Sequence, residues 1–295
     1  MPEEIIRDTH YFVSNELAPQ HFRAPLVGLG GVGLGVGAEQ NYLFAGWGRP
    51  ELLVLVDFDQ AIVDLHALYR VAFLEAATPE EFCALWTKPN RQRFTALIEA
   101  AYADSSRPKA ALRIFRQARS SVEWRLGKLK AHFAAVGTPS FATDPDDYAY
   151  VRQLFQTNRV IALRGDLTGR RTLADLAQRL TEQGRVVRWA YFSNAEQYFA
   201  YTPSFRGNIM GLPVDERSLV LRTRPHRQDY AYVIQQFVNF TGWLKEPRIK
   251  RVFAVVPHSL MRESSGLVEV ASLPPPPSEK KLRRARRAAS GNGGR

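Results

Sequence analysis

One cysteine, Cys83, in 295 residues excludes an intramolecular disulfide and any thiolate-based zinc cluster within one chain. A reducing compartment is the natural setting, and the cytoplasm is the expected location. Long apolar runs are also missing, none approaching the roughly 18 residues of a membrane-spanning helix, and no membrane segment is expected. The amino-terminal Met1-Pro2-Glu3-Glu4-Ile5-Ile6-Arg7 is acidic and lacks the apolar stretch of a secretion signal. The histidines, His10, His21, His66, His132, His226 and His258, show no metal-ligand spacing, so no metal site is expected. His66 falls within a helical pattern and reads as a packed residue.

What is present is ample apolar material: 45% of the residues are hydrophobic, and every one of the 17 Phe and five Trp precedes the last twenty-odd positions. A single domain spanning 1–273 accommodates this. The net charge of +11 is uneven, because the end of the chain carries Lys280, Lys281, Arg283, Arg284, Arg286, Arg287 and Arg295 against Glu279 alone. That tail, 274–295, opens on Pro274-Pro275-Pro276-Pro277 and closes in Ser290-Gly291-Asn292-Gly293-Gly294, a composition that predicts disorder. It reads as a solubilising end, or as an electrostatic arm making weak nucleic-acid contacts.

The glycine run Gly30-Gly31-Val32-Gly33-Leu34-Gly35-Val36-Gly37 leads into Ala38-Glu39-Gln40-Asn41. After it come the apolar run Leu52-Leu53-Val54-Leu55-Val56 and Asp57, 20 positions beyond Gly37. A glycine turn admits close backbone approach to a ligand, and an acid at that distance is where a nucleotide-binding α/β fold meets a ribose hydroxyl. The pattern points to a nucleoside cofactor. No Lys-Ser/Thr pair follows the glycines, which argues against a triphosphate-binding P-loop.

Strand-like and helix-like segments alternate. Helices are expected over Gln40–Trp47, Gln60–Ala76 and Thr172–Gln183, and strands over Leu52–Val56, Val160–Leu163 and Val186–Phe192. Later strands are expected at Ser218–Arg222 and Val252–Val256, flanking a helix from about Gln228 to Leu244. Residues 78–150, opening on the N-cap sequence Thr78-Pro79-Glu80-Glu81, read as a helical insertion, either a lid or an elaborated edge. The βαβ alternation predicts an α/β fold with a doubly wound, mostly parallel sheet. Four polar clusters then fall at strand ends on one rim: Glu39-Gln40-Asn41, Asp57-Phe58-Asp59, Gly165-Asp166 and Ser193-Asn194-Ala195-Glu196. Each has a plain structural reading, Asp57 and Ser193-Asn194 as helix caps and Asp166 as a turn residue; their convergence is what favours a cofactor rim.

The elements Gly31 to Tyr42, Arg49-Pro50, Val56-Asp57, Gly165-Asp166 and Tyr191-Phe192-Ser193-Asn194-Ala195-Glu196-Gln197-Tyr198 together resemble a family of uncharacterised bacterial proteins. Its fold is that of class I S-adenosylmethionine-dependent methyltransferases, of Rossmann type. The resemblance runs from about Gly28 to Arg222 and implies S-adenosylmethionine as the cofactor, with an unknown small-molecule or macromolecular methyl acceptor. Through that pattern Gly33, Gly35 and Gly37 lie on the cofactor loop, with Gly35 and Gly37 facing the methionine part. Asp57 meets the ribose, Asp166 the adenine edge, and Ser193, Asn194 and Glu196 the transferable methyl group. Gln40 and Asn41 complete the binding set. The acid that such enzymes carry two positions before the first loop glycine is replaced here by Gly33 or Leu29, and Glu39 is the carboxylate that stands in for it. Asn194 would orient an amine or hydroxyl and Glu196 would take its proton.

Two other readings stand beside this one. A non-catalytic nucleotide- or nucleic-acid-binding protein on the same fold is the first. An aspartate-nucleophile phosphatase, with Asp57 as nucleophile and Asp59 as acid, is the second. Against the latter, Ala61 replaces the expected Thr or Val, and Ser193 follows Asp166 instead of preceding it.

Overall fold

The computed structural model describes residues 10–103, 108–262 and 266–274. From residue 19 the elements run α1 (Arg23–Leu26), β1 (Val32–Gly35), α2 (Gln40–Gly48), β2 (Leu52–Asp57) and α3 (Gln60–Glu75). The helical stretch follows as α4 (Pro79–Leu85), α5 (Arg91–Ala101), α6 (Pro108–Val136) and α7 (Pro145–Gln156). Then come β3 (Val160–Arg164), α8 (Thr172–Glu182), β4 (Val187–Tyr191), α9 (Pro203–Met210), β5 (Leu219–His226), β6 (Asp229–Gln236) and α10 (Phe237–Lys245). Two short helices, α11 (Val252–Val255) and α12 (His258–Arg262), precede β7 (Leu267–Val270).

The seven strands are ordered β3-β2-β1-β4-β5-β6-β7. Every adjacent pair is parallel except β5 and β6, so the α/β, mostly parallel architecture expected from the alternation is observed. β2 reads as a continuous apolar run because both its faces are covered, which is the signature of a parallel central strand. Leu53, Leu55, Trp189 and Tyr191 pack on one side with α2, α3 and the helical stretch. Val32, Leu34, Val54 and Val56 pack on the other with α8, α9 and α10. Strand order reverses between β1 and β4. In an open α/β sheet the crevice at such a switch point, outside the carboxyl ends, is where ligands bind.

Four expectations change. Gly33 and Gly35, expected on the glycine loop, lie within strand β1, and only Val36 to Glu39 forms the turn into α2. The helix placed from Gln228 is strand β6 up to Gln236, and only Phe237–Lys245 is helical. β5 and β6 form a hairpin whose two-residue loop, Arg227-Gln228, puts Arg227 at φ 53° with no Asn-Gly or Asp-Gly to announce it. The run at Val252–Val256 is the short helix α11, and the last strand is β7 instead; a short apolar run is ambiguous between the two states. The insertion, finally, is part of the core. Phe82 and Phe141, both within it, pack against Phe73, with Phe82 also on Tyr69 and Phe141 on the buried ring of Tyr42, so this stretch thickens one helical layer.

The tail beyond Pro274 and the segment before His10 lie outside the described residues. No helix among the described residues is long and apolar enough to cross a membrane.

Candidate functional site at the carboxyl edge of the sheet

The four polar clusters expected on one rim do lie at the carboxyl ends of β1, β2, β3 and β4, which are adjacent and parallel. The glycines are there for a local reason as well. A Cβ on Gly33 would stand 2.2 Å from the Trp189 ring, and one on Gly35 only 1.8 Å from Asn41 Oδ1. At Gly37, φ is +80° and a Cβ would meet Gln40 Nε2 at 2.6 Å. The end of β1 and the turn after it are therefore tightened around their own neighbours: Asn41 Nδ2 donates to the carbonyls of Val36 and Ala38 at 2.9 and 3.1 Å.

Asp57 holds the loop from below. Its Oδ2 accepts from Gly37 N at 3.1 Å and its Oδ1 from Asp59 N at 2.9 Å. It is Asp59, not Asp57, that caps α3, through Ala61 N. Desolvation outweighs these two bonds and pushes the Asp57 carboxyl up to about 6. His66, as its helical position suggested, is buried and bonded on both sides. Its Nε2 lies 2.9 Å from the Gly37 carbonyl and its Nδ1 2.7 Å from Tyr42 Oη. Since a carbonyl can only accept, Nε2 carries the proton and Nδ1 accepts from the tyrosine. Burial lowers its pKa to about 4, so the ring stays neutral.

Glu39 is fully buried, yet it faces a cation. Arg125 Nε, from α6, donates to its Oε1 at 2.7 Å, and the Ser14 amide reaches both carboxylate oxygens. Arg125 is 4% exposed. Nothing in the local sequence of α2 announces this partner, but α6 carries a usable signal. Ile114, Phe115, Ala118, Val122, Leu126, Leu129 and Phe133 form its buried stripe, and Arg125 is a charge within that stripe.

The residues that sequence reasoning missed come chiefly from the segment 10–18, which has no regular structure and crosses the rim. Its side chains alternate, Phe12, Ser14 and Glu16 inward and Tyr11, Asn15 and Leu17 outward. His10 Nδ1 is 2.7 Å from Asp59 Oδ2, and the Leu17 and Ala18 amides donate to Asp229 and to Tyr232 Oη at 3.0 and 2.7 Å. The centre of the segment is Glu16, whose Oε1 accepts from Tyr191 Oη, from Ser193 Oγ at 3.1 Å and from Thr223 Oγ1 at 3.0 Å. Ser193 reaches it from a left-handed backbone, φ 50°, an uncommon and costly conformation for a residue with a Cβ. Burial raises the Glu16 pKa against the three hydroxyls. The available signal was the triplet Ser14-Asn15-Glu16, which echoes Ser193-Asn194-Ala195-Glu196.

Three buried acceptor atoms around the β1–β4 crevice have no hydrogen-bond donor among the described residues: Glu16 Oε2, Gln40 Oε1 and Asn41 Oδ1. Asp166 stands apart in an Asx turn, its Oδ1 accepting from Thr168 N and Oγ1, both at 2.8 Å. Asn194 precedes a single turn of 3-10 helix, Ala195–Gln197, without capping it through its side chain. Glu196 points elsewhere, into a hydrogen bond at Oε1 and an ion pair at Oε2 that lacks hydrogen-bond geometry. Tyr201 Oη donates to its Oε1, and Arg222 Nε lies 2.6 Å from its Oε2. Among the described residues no group of three or more His, Cys, Asp or Glu is placed to hold a metal ion.

Over this geometry, a family model described as a domain of unknown function, DUF7790, matches residues 11–271. The chain belongs to that family. The match begins at Tyr11, so the rim-crossing segment and the sheet fall within one DUF7790 domain. A comparison with curated proteins gives no match.

Proposed function

We propose that this DUF7790 protein binds a nucleoside-type ligand, S-adenosylmethionine first among the candidates, at the β1–β4 crevice. The observation that carries the reading is the set of unpaired buried acceptors on Glu16, Gln40 and Asn41, beside Asp57, at the switch point of the sheet. An acceptor-rich site suits a ligand rich in donors, and S-adenosylmethionine offers an ammonium, two ribose hydroxyls and an adenine amino group. Orphaned acceptors cost about 1–3 kcal/mol each, and a ligand that supplies donors recovers this. Asp57 retains free lone pairs for a ribose hydroxyl beyond the two amides it accepts from. Phe12, Ser14 and Glu16 lie over the crevice, so entry requires the 10–18 segment to lift and its return excludes water.

Bound S-adenosylmethionine would supply an electrophilic methyl group. The residue available to orient an acceptor is Asn194, whose side-chain amide makes no hydrogen bond among the described residues. Glu196 is held by Arg222 and Tyr201 and is not a free base. That engagement favours binding without chemistry as the second reading.

The test is calorimetric titration and thermal shift with S-adenosylmethionine, S-adenosylhomocysteine, NAD and ATP, since a ligand specific to the folded state raises its apparent stability. One of the first two should bind, and Asp57→Ala should weaken it by about 10- to 150-fold, the equivalent of about 1.5–3 kcal/mol. No binding of either would end the proposal. If methyl transfer is found, Asn194→Ala should lower kcat far more than affinity; equal losses make Asn194 a binding residue.

A further inference from the structure

The face of β5 opposite Thr223 and Glu16 carries a row of nitrogen-bearing side chains. Alternation along a strand sends Arg222, Arg224 and His226 to one side, the side on which Val220 packs with α9 and α10, with successive members about 7 Å apart. Arg222 and Arg224 are 1% and 3% exposed. Arg222 Nη1 donates to Gln235 Oε1 at 2.8 Å; its Nε forms an ion pair with Glu196 Oε2 at 2.6 Å without hydrogen-bond geometry, and its Nη2 is buried with no acceptor. Arg224 is poorer still. It makes one long bond, from Nη1 to the Val256 carbonyl at 3.3 Å; its Nε has no acceptor, and it forms no ion pair among the described residues.

Nearby Arg206 shows what a satisfied guanidinium looks like here, donating to the carbonyls of Tyr201, Leu244, Glu246 and Ile249. Of the two guanidiniums on β5, only that of Arg222 is paired with a carboxylate, that of Glu196, among the described residues. Removing a cation from water costs several kcal/mol unless an anion faces it. Aromatic faces offset part of this, Phe240 lying 4.4 Å from the Arg222 guanidinium carbon and Phe253 4.3 Å from that of Arg224. Burial also pushes the Arg224 guanidinium below its usual range, the direction expected of a cation short of counter-charge. Past Arg224 the row continues to His226, whose Nε2 is buried without a partner.

We propose that Arg222 and Arg224, at the carboxyl end of β5, bind a small oxyanion, a phosphate or a carboxylate borne by a ligand of this protein. The charge is right for a single anion, since Glu196 neutralises one of the two guanidiniums. The donors are right as well, because the unused Nε of Arg224 and Nη2 of Arg222 are N–H groups suited to the oxygens of a phosphate or carboxylate. Access runs past Phe253, which covers Arg224 and is itself 43% exposed, so that rotation of one side chain opens the site. This site lies on the face of β5 opposite the Glu16 cluster and stands whether or not a nucleoside binds there.

The experiment titrates the full chain with sodium phosphate and, separately, sodium acetate, at ionic strength held constant with sodium chloride, reading thermal unfolding and the arginine Nε–Hε resonances. One or both oxyanions should raise the melting temperature saturably and shift two arginine signals. Phosphate alone identifies a phosphorylated ligand, acetate alone a carboxylate, and no saturable response to either overturns the proposal. Arg224→Met should abolish the response and, by removing an unpaired buried cation, leave the melting temperature in chloride equal to or above that of the parent. Arg224→Lys, which keeps charge without the fork, should raise the apparent Kd at least tenfold. Arg227→Asn, on the exposed hairpin loop, should change nothing. A full response surviving in Arg224→Met would place the anion elsewhere, on the basic tail for instance, and refute the assignment. Should Arg224→Met not fold, Nε–Hε signals that stay unshifted in the parent would refute it equally.

Discussion

Replacing Glu39 by Gln changes one atom and removes a charge, which makes it a clean probe of the bond between the glycine loop and α6. The carboxylate is fully buried, the Arg125 guanidinium is 4% exposed, and Arg125 Nε approaches Oε1 at 2.7 Å. In Glu39→Gln the amide oxygen still accepts from Ser14 N, so the backbone of the 10–18 segment keeps its partner. What is lost is the counter-charge of Arg125, whose Nη2 is already without an acceptor. Breaking one side of a buried pair costs about 3–5 kcal/mol, a large share of the 5–15 kcal/mol typical of a folded domain. Arg125→Met should cost a similar amount by stranding Glu39. The double variant should be far less damaged than the sum, because removing both charges also removes both desolvation penalties. Urea unfolding followed by tryptophan fluorescence measures all four corners of the cycle. A Glu39→Gln loss below about 1 kcal/mol, or additivity within about 0.5 kcal/mol, would refute the argument that this pair clamps the loop.

Gly35→Ala should lower the melting temperature of the ligand-free protein, corresponding to about 1–3 kcal/mol, because the new methyl group collides with Asn41 Oδ1; an unchanged melting temperature would mean the glycine serves ligand approach alone. Asp57, raised from 3.8 to about 6, is a proton-binding site of the folded state. Its stabilising contribution is complete below about pH 3.8 and is lost as pH rises through about 6, in total about 3 kcal/mol at 1.36 kcal/mol per pK unit. The difference in unfolding free energy between parent and Asp57→Asn should therefore slope across that window and be flat above pH 7; a pH-independent difference would contradict it. Glu16→Ala should cost about 2–4 kcal/mol, since the Tyr191, Ser193 and Thr223 hydroxyls lose a shared acceptor. Glu16→Gln, which keeps the oxygen, should cost less, and equal losses would show that the hydroxyls find other partners.

Local rules were enough for the front of the sheet. The apolar run ending at Asp57, the helical pattern from Gln60 and the N-cap sequence at Thr78 are each set by a few neighbouring residues, and chain order then places four polar clusters on one edge; the cap of α3 proves to be Asp59 and not Asp57. The hairpin was hidden because Arg227-Gln228 lacks the usual turn residues, and α11 because four apolar residues do not choose between helix and strand without a neighbour.

The sequence by itself determined the α/β alternation, the mostly parallel sheet and the rim that carries both Asp57 and Ser193, because hydrophobic period and turn chemistry act over short distances. Only the tertiary structure decided what those groups touch. Glu39 meets Arg125 across 86 positions, Glu16 meets Thr223 across 207, and Glu196 turns away to Arg222. Such partners are chosen by burial, where a charge or hydroxyl removed from water must find its counterpart wherever in the chain the fold brings one within reach.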